Sequence, residues 1–154
     1  MTDNSTLIEA ARAVATNAYA PYSSFGVGAA LLLNDGEIVT GCNFENASYG
    51  LSLCAETVAI TALNASGRIA DIREVAVIGG MMANGKITGT TPVRPCGRCR
   101  QILNEAAQLA QCDLVIHCAS ADGSVVERYL LSELLPYAFG PADLGFVRGQ
   151  TKLL

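Results

Sequence analysis

The stretches "LCAETVAI" (residues 53–60) and "VRPCGRCRQIL" (residues 93–103) decide how this sequence is interpreted. Each places cysteine at the predicted start of a helix: Cys54 in the first stretch, Cys96 and Cys99 in the second. Free backbone amides and the positive end of the helix dipole favour a thiolate at such a position. Three thiolates from two helix N-termini therefore predict a site for a soft cation such as zinc.

A carboxylate accompanies these predicted ligands, because Glu56 follows Cys54 by two residues. No further Cys-x-x-Cys pair lies nearby, and three protein ligands leave one tetrahedral corner for water, as in catalytic zinc sites. An uncoordinated carboxylate beside the metal can take and deliver protons. The pattern Cys54-Ala55-Glu56…Pro95-Cys96-Gly97-Arg98-Cys99 matches the zinc-deaminase signature H-x-E…P-C-x-x-C, in which cysteine can replace the histidine.

The composition excludes several other classes of protein. The formal net charge is −4 and the basic residues are scattered, which argues against nucleic-acid binding. The longest apolar run, "VGAALLL" (residues 27–33), is too short to span a membrane, and "MTDNST" lacks the pattern of a secretory signal. We therefore expect a cytoplasmic protein whose paired cysteines bind metal rather than form disulfides. A chain of 154 residues fits one domain, here residues 1–154.

The periodicity of apolar residues predicts a mixed α/β fold. A capping box at Thr6 and Glu9 predicts a helix that continues to Tyr19 and ends before Pro21. A hairpin follows, and the chain then alternates between helices and strands. The predicted order is helix, hairpin, helix, strand, helix, strand, strand, helix, with the single strands at residues 73–80, 112–119 and 124–131. This order predicts a mixed sheet sandwiched between helices.

With the motifs in place, the sequence resembles a short, homotetrameric type of cytidine deaminase from about Tyr22 to Leu144. The resemblance extends to "YSSFGVGAAL" (22–31), "NFENASYG" (43–50), "CGRCRQIL" (96–103) and "LLPYAFGPADL" (134–144). It implies a three-layer α/β/α sandwich with a five-stranded mixed sheet and one zinc ion per chain. It also implies hydrolytic deamination of cytidine and 2′-deoxycytidine to the uridines, with release of ammonia, in pyrimidine salvage.

The resemblance assigns roles to residues within one chain. Cys54, Cys96 and Cys99 would bind the metal. Glu56 would shuttle protons, and the backbone of Ala55 would help to hold the base. The substrate would further be held by Asn43 and Glu45, which would hydrogen-bond the ribose 3′-hydroxyl, and by Phe25, which would pack against the pyrimidine ring.

Other roles implied by the resemblance cross between subunits or depart from the family pattern. Ala47 and Tyr49 would reach a neighbouring subunit's site, and Phe139 would stack on the base bound there. Many relatives read C-A-E-R, whereas this chain has Thr57 at the fourth position. We hypothesise that Arg98 offsets the negative charge of the three thiolates in place of that arginine. Thr57 itself could cap the helix or pack.

Several alternatives stay open at this point. A deaminase of a cytosine-nucleoside antibiotic of the blasticidin S type carries similar motifs, although the Asn43 and Glu45 pair suits an unmodified ribose. Editing of polynucleotides is disfavoured by the charge. A non-enzymatic zinc scaffold would have no use for Glu56 beside an open corner, and a Cys96–Cys99 redox pair predicts a reversible disulfide and no bound metal. The remaining sites are predicted to be structural, namely Cys42, Cys112, Cys118 and His117, and the tail at 146–154 is predicted to be a loose terminus.

Overall fold

The structure, a computed structural model, describes residues 4–146. In that range, besides short 3₁₀ turns, the chain forms four α-helices and six β-strands. The helices are α1 (Asn4–Ala15), α2 (Ala55–Ala65), α3 (Gly97–Ala110) and α4 (Leu131–Leu134). The strands are β1 (Phe25–Leu33), β2 (Ile38–Cys42), β3 (Ile72–Ala83), β4 (Lys86–Thr88), β5 (Val115–Ser120) and β6 (Val126–Leu130).

The strands form one mixed sheet in the order β2-β1-β3-β5-β6, with the short β4 paired to the end of β3. Only the β3–β5 pair is parallel among the described strands, and its connection contains α3. The other pairs are antiparallel. Parallel strands need a long crossover, whereas β1 and β2 are joined by a tight turn. The predicted hairpin and mixed sheet are confirmed.

Helices cover both faces of the sheet. On one face α1 buries Leu7, Ile8, Ala11 and Ala15 against small and branched residues of β1, β3 and β5. On the opposite face α2 and α3 pack against the other side of the same strands, with Leu63 and Leu103 fully buried between the layers. Two apolar cores separated by a sheet make a three-layer α/β/α sandwich, as the resemblance implied.

Two glycines let the helices lie directly on the sheet. A methyl group on Gly41 of β2 would meet the backbone nitrogen of Ala59 in α2 at 2.5 Å. A methyl group on Gly28 of β1 would meet the carbonyl oxygen of Ala11 in α1 at 1.9 Å. Both distances are shorter than van der Waals contact permits, so only glycine allows these close approaches.

Two local predictions about the first helix are wrong, and one hairpin was missed. Helix α1 ends at Ala15 rather than Tyr19, since the Tyr19 backbone instead pairs with Asn43 and Glu45, and Thr6 lies inside the helix rather than at its cap. The hairpin of β3 and β4 was not predicted. Its turn residues Asn84 and Gly85 both have positive φ, which is typical of a two-residue hairpin turn.

The non-ligand cysteines and the histidine are placed as follows. Cys118 is a buried core residue of β5, and Cys42 ends β2 half-buried. Cys112 precedes β5 rather than lying in it, because that strand begins at Val115. The Nε2 atom of His117 lies 2.7 Å from Glu74 Oε2, whereas its buried Nδ1 has no hydrogen-bond partner among the described residues.

Two sequence predictions concern the ends of the chain and membranes. The predicted loose terminus lies outside the described residues beyond position 146. Within residues 4–146, every helix is too short or too polar to cross a bilayer.

Candidate metal centre and active site

Two helix N-termini bring the three predicted ligands together. Cys54 is the N-cap of α2, Cys96 is the N-cap of α3, and Cys99 lies in the first turn of α3. Their three sulfur atoms all lie within 4.8 Å of one another. No second group of three His, Cys, Asp or Glu side chains is this compact within residues 4–146.

The spacing of the sulfurs fits a tetrahedral metal. Zinc–sulfur bonds of about 2.3 Å at tetrahedral angles place two sulfurs about 3.8 Å apart. The Sγ atoms of Cys54 and Cys96 lie 3.8 Å apart. Since all six cysteines of the chain are free thiols, the cluster can hold a metal ion, and its donor set of sulfur suits a soft cation.

Two thiols of the cluster differ in acidity. Hydrogen bonding with Cys99, followed by that with Cys96 and by the positive charge of Arg98, lowers the pKa of Cys54 to about 6. Hydrogen bonding with Cys54, together with burial, raises the pKa of Cys99. Of these two thiols, Cys54 becomes a thiolate more readily before any metal binds.

Glu56 lies beside the sulfurs in a buried position. Its side chain follows Cys54 into the first turn of α2 and is 3% exposed. The thiol of Cys99 donates to Glu56 Oε2 over 3.4 Å. Burial raises the pKa of Glu56, because removing a carboxylate from water disfavours its charged form. A buried carboxyl with a raised pKa is suited to accept a proton and to donate it again.

A cavity of about 260 Å³ lies beside this group. Its wall includes Cys54, Cys96 and Glu56 together with Asn43 and Glu45. The rest of the wall is formed by Val27, Ser52, Leu53, Ala55, Val93 and Arg94. An apolar wall with a few polar groups is typical of a small-molecule site.

Backbone contacts fix the two polar residues of the wall. The Asn43 amide donates to the carbonyl oxygen of Phe25 at 2.9 Å and accepts from the amide of Val27 at 2.8 Å. One N–H and one lone pair of this amide stay available for a ligand. Glu45 accepts from the backbone amides of Tyr22 and Ser23, and hydrogen bonds, first from the Ser23 side chain, lower its pKa. It is therefore an anionic acceptor held in place.

Four of the other residues implied by the resemblance are not part of this cavity's wall. Phe25 begins β1 half-buried, on the same strand face as Val27. Ala47, Tyr49 and Phe139 are exposed, Tyr49 to 75% and Phe139 to 61%. Ala55, by contrast, is buried and lines the cavity.

Arg98 is exposed in the first turn of α3. Its positive charge is one of the causes that lower the pKa of Cys54. The charge-compensating role of Arg98 stays a prediction.

Two residues near the site, Ser23 and Arg94, were missed in the sequence, and so was the contact that Thr57 makes. Thr57 Oγ1 lies 3.8 Å from Cys99 Sγ, and Ser23 hydrogen-bonds Glu45. Arg94 lines the cavity while its guanidinium binds Glu127 at 2.6 Å and Tyr129 at 3.3 Å, both on β6. Of these, only Arg94 could have been predicted from the sequence, because it directly precedes Pro95 of the motif. The Thr57 and Ser23 contacts depend on tertiary structure.

Comparison with known proteins shows the class of protein to which the chain belongs. The model of the family described as "Cytidine and deoxycytidylate deaminase zinc-binding region" matches residues 1–115. The chain is 42% identical to the cytidine deaminase of Halalkalibacterium halodurans over 92% of its own length and 98% of that protein. It is 45% identical to that of Mycobacterium tuberculosis over 84% of both chains.

Solved structures agree with these relatives. The crystal structure of cytidine deaminase from Burkholderia pseudomallei matches with a TM-score of 0.76 and 40% identity, over 90% of this chain and all of that one. The chain therefore belongs to the cytidine deaminase family. The resemblance inferred from the motifs is confirmed, and the chain is an enzyme of the deaminase class.

Proposed function

We propose that residues 1–154 form one catalytic domain that binds one zinc ion and hydrolyses cytidine and 2′-deoxycytidine to uridine and 2′-deoxyuridine. The observation that carries the proposal is the buried carboxyl of Glu56, which lies 3.4 Å from a sulfur of a three-cysteine cluster at the wall of a cavity. A structural zinc site is closed by four protein ligands and needs no proton carrier. This site has three sulfurs and a proton carrier beside them.

Cys54, Cys96 and Cys99 would hold the zinc ion. When bound there, zinc supplies a Lewis acid that makes a water molecule nucleophilic at neutral pH. Glu56 would take one proton from the attacking water and deliver it to the ring nitrogen beside the carbon under attack, because its carboxyl lies next to the cluster and carries a raised pKa. It would then pass the second proton of the same water to the departing amine. The water oxygen would thus replace the exocyclic amine of cytosine, the amine would leave as ammonia, and the carboxyl would end the cycle in its starting state.

Asn43 and Glu45, in the wall of the same cavity, would bind the sugar. Asn43 retains one donor and one acceptor, and Glu45 is an ionised acceptor, so the two together can satisfy a hydroxyl group in both roles. A site built to hydrogen-bond a hydroxyl rejects analogues that lack it. The backbone of Ala55 would hold the base, and Phe25 would pack against its ring from the strand face that it shares with Val27.

The proposed enzyme is a homotetramer whose active sites are shared between subunits. Its support is the set of large apolar side chains that one chain leaves exposed, including Tyr49, Leu51, Tyr137, Phe139 and Leu144. Aromatic side chains of this kind are enriched at protein interfaces. Ala47, Tyr49 and Phe139 would complete a neighbour's site. The expected location is the cytoplasm, with neither nucleic acid nor membrane as a partner.

An ultraviolet assay of deamination, combined with metal analysis, tests the proposal. The wild type is expected to hold one zinc per chain and to convert cytidine, and Glu56→Gln is expected to keep the zinc and lose turnover. Glu105→Gln is the matched control, because Glu105 is an exposed carboxylate on α3. Full activity of a zinc-loaded Glu56→Gln protein would contradict the proton-transfer role. Turnover of blasticidin S in preference to cytidine would contradict the substrate assignment.

A further inference from the structure

Thr57 directly follows the proposed proton carrier in α2 and faces the most buried sulfur of the cluster. Its side chain is 7% exposed, and its Oγ1 atom lies 3.8 Å from the Sγ atom of Cys99 on α3. We propose that Thr57 is a positioning residue for the metal centre, whose hydroxyl donates to the Cys99 thiolate and strengthens its hold on zinc. This inference rests on the proposed zinc site.

Two threonines of α2 differ in where their hydroxyls bond. Thr61 bonds to the carbonyl of Val58 in its own helix at 2.9 Å, as a helical threonine commonly does. The corresponding carbonyl, three residues before Thr57, belongs to Cys54 and accepts the amide of Val58 at 3.1 Å. Among the described residues, the partner of the Thr57 hydroxyl is instead the sulfur of Cys99 on α3.

Burial makes Cys99 the ligand that most needs a hydrogen-bond donor. Cys99 is fully buried, whereas Cys54 is half-buried and Cys96 is exposed. Water can solvate the charge on the exposed sulfur but not that on Cys99, and a buried charge without a partner is costly. The carboxyl of Glu56, 3.4 Å away, adds a further acceptor beside the same sulfur.

The nearby arginines are occupied or exposed. Arg100 donates to the carbonyl oxygens of Pro95 and Leu134 at 2.8 and 2.9 Å. Arg94 is held by Glu127 and Tyr129 on β6, and the side chain of Arg98 is exposed. The Thr57 hydroxyl is thus the donor that the fold places on the buried ligand, while the charge of Arg98 acts at Cys54.

The test compares variants that differ in this hydroxyl alone. Thr57→Val removes the donor and keeps the branched shape, and Thr57→Ser keeps the donor and removes the methyl group. Thr57→Ala is a second variant without a donor, for use if valine prevents folding. Thr61→Val is the matched control, since it removes an exposed threonine hydroxyl bonded within the same helix.

Zinc transfer to a chromogenic chelator and the unfolding of metal-free protein are the two measurements. Loss of a hydrogen-bond partner of a metal ligand costs about 10–100-fold in metal affinity, so Thr57→Val is expected to weaken zinc binding by at least about tenfold. Thr57→Ser and Thr61→Val are expected to bind zinc like the wild type. The unfolding of metal-free Thr57→Val is expected to match that of the metal-free wild type.

Two outcomes would overturn the inference. One is that Thr57→Val and Thr57→Ala both bind zinc as tightly as the wild type. The other is a loss of stability that is as large in the metal-free protein as in the zinc-bound protein, which would show that Thr57 acts by packing. A wild type that binds no zinc would instead refute the proposed function itself.

Discussion

Replacing Gly41 by alanine should disturb the metal centre from a distance, because Gly41 is where β2 lies against α2. The added methyl carbon would lie 2.5 Å from the backbone nitrogen of Ala59 and 2.7 Å from the carbonyl oxygen of Ala55. Ordinary contact begins at 3.4 Å, so the strand and the helix must separate by 0.9 Å. Backbone atoms cannot rotate aside as a flexible side chain can, and overpacking of this kind costs about 1–3 kcal/mol.

The displaced helix is the one that begins with Cys54 and carries Glu56 in its first turn. A misplacement of about 1 Å in a catalytic group can lower the rate about 100-fold. Gly41→Ala is therefore expected to lose stability and kcat together, with a smaller effect on KM. We therefore divide kcat by the fraction of protein that carries zinc. A fall in this normalised kcat indicates displacement of α2 rather than unfolding of part of the sample.

Urea unfolding at a fixed zinc concentration and steady-state deamination of cytidine measure the two effects. Gly50→Ala is the control for stability, since a methyl group there meets nothing within 4 Å. A Gly41→Ala protein with the unfolding free energy and kcat of the wild type would refute the reasoning. It would show that α2 can move away from β2 without cost and without carrying the site with it.

Two further predictions use other parts of the fold. Gly28→Ala should lower stability more than Gly41→Ala, because its methyl carbon would lie 1.9 Å from the carbonyl oxygen of Ala11. Its kcat per bound zinc should equal that of the wild type, since α1 packs on the face of the sheet opposite the site. A fall in kcat as large as that of Gly41→Ala would contradict this prediction. Asp122 has its pKa lowered from 3.8 to about 2, first by the Ser124 backbone amide, so its contribution to stability is complete above pH 3.8 and is lost as the pH falls towards 2. The free energies of urea unfolding of the metal-free wild type and of Asp122→Ala should therefore differ by a constant amount above pH 4 and converge towards pH 2. A difference that does not change with pH would contradict the lowered pKa of Asp122.

The sequence was sufficient to predict the cluster because its geometry is local. A cysteine at a helix N-cap or in the first turn is positioned by the start of that helix, and both starts could be located from Cys54 and Cys96 to within a few residues. The hairpin and the parallel crossover followed from alternation and chain length. These features depend on residues close together in the chain, which is why pattern alone could predict them.

The missed features depend on contacts between distant residues. The helical spacing of Ala18 and Tyr19 predicts a longer α1, but the Tyr19 backbone pairs with residues on the far side of the hairpin. The Thr57 contact joins residues 42 positions apart. The extra hairpin at Asn84 and Gly85 did have a local signal, the Asn-Gly pair, but residues 81–89 were assigned to no element.

The position of α2 connects these observations. Gly41 lets this helix lie directly on β2, and from there its first turn presents Cys54, Glu56 and Thr57 to the start of α3. Successive helical residues point in different directions, so Glu56 and Thr57 can approach the Cys99 sulfur separately, one as acceptor and one as donor. Removal of the Thr57 hydroxyl should therefore weaken zinc binding while the carboxyl stays in place, and removal of the Glu56 carboxyl should stop turnover while zinc stays bound. If both substitutions produced the same defect, the two side chains would be acting as one structural unit, and the division of roles between neighbouring residues of α2 would be wrong.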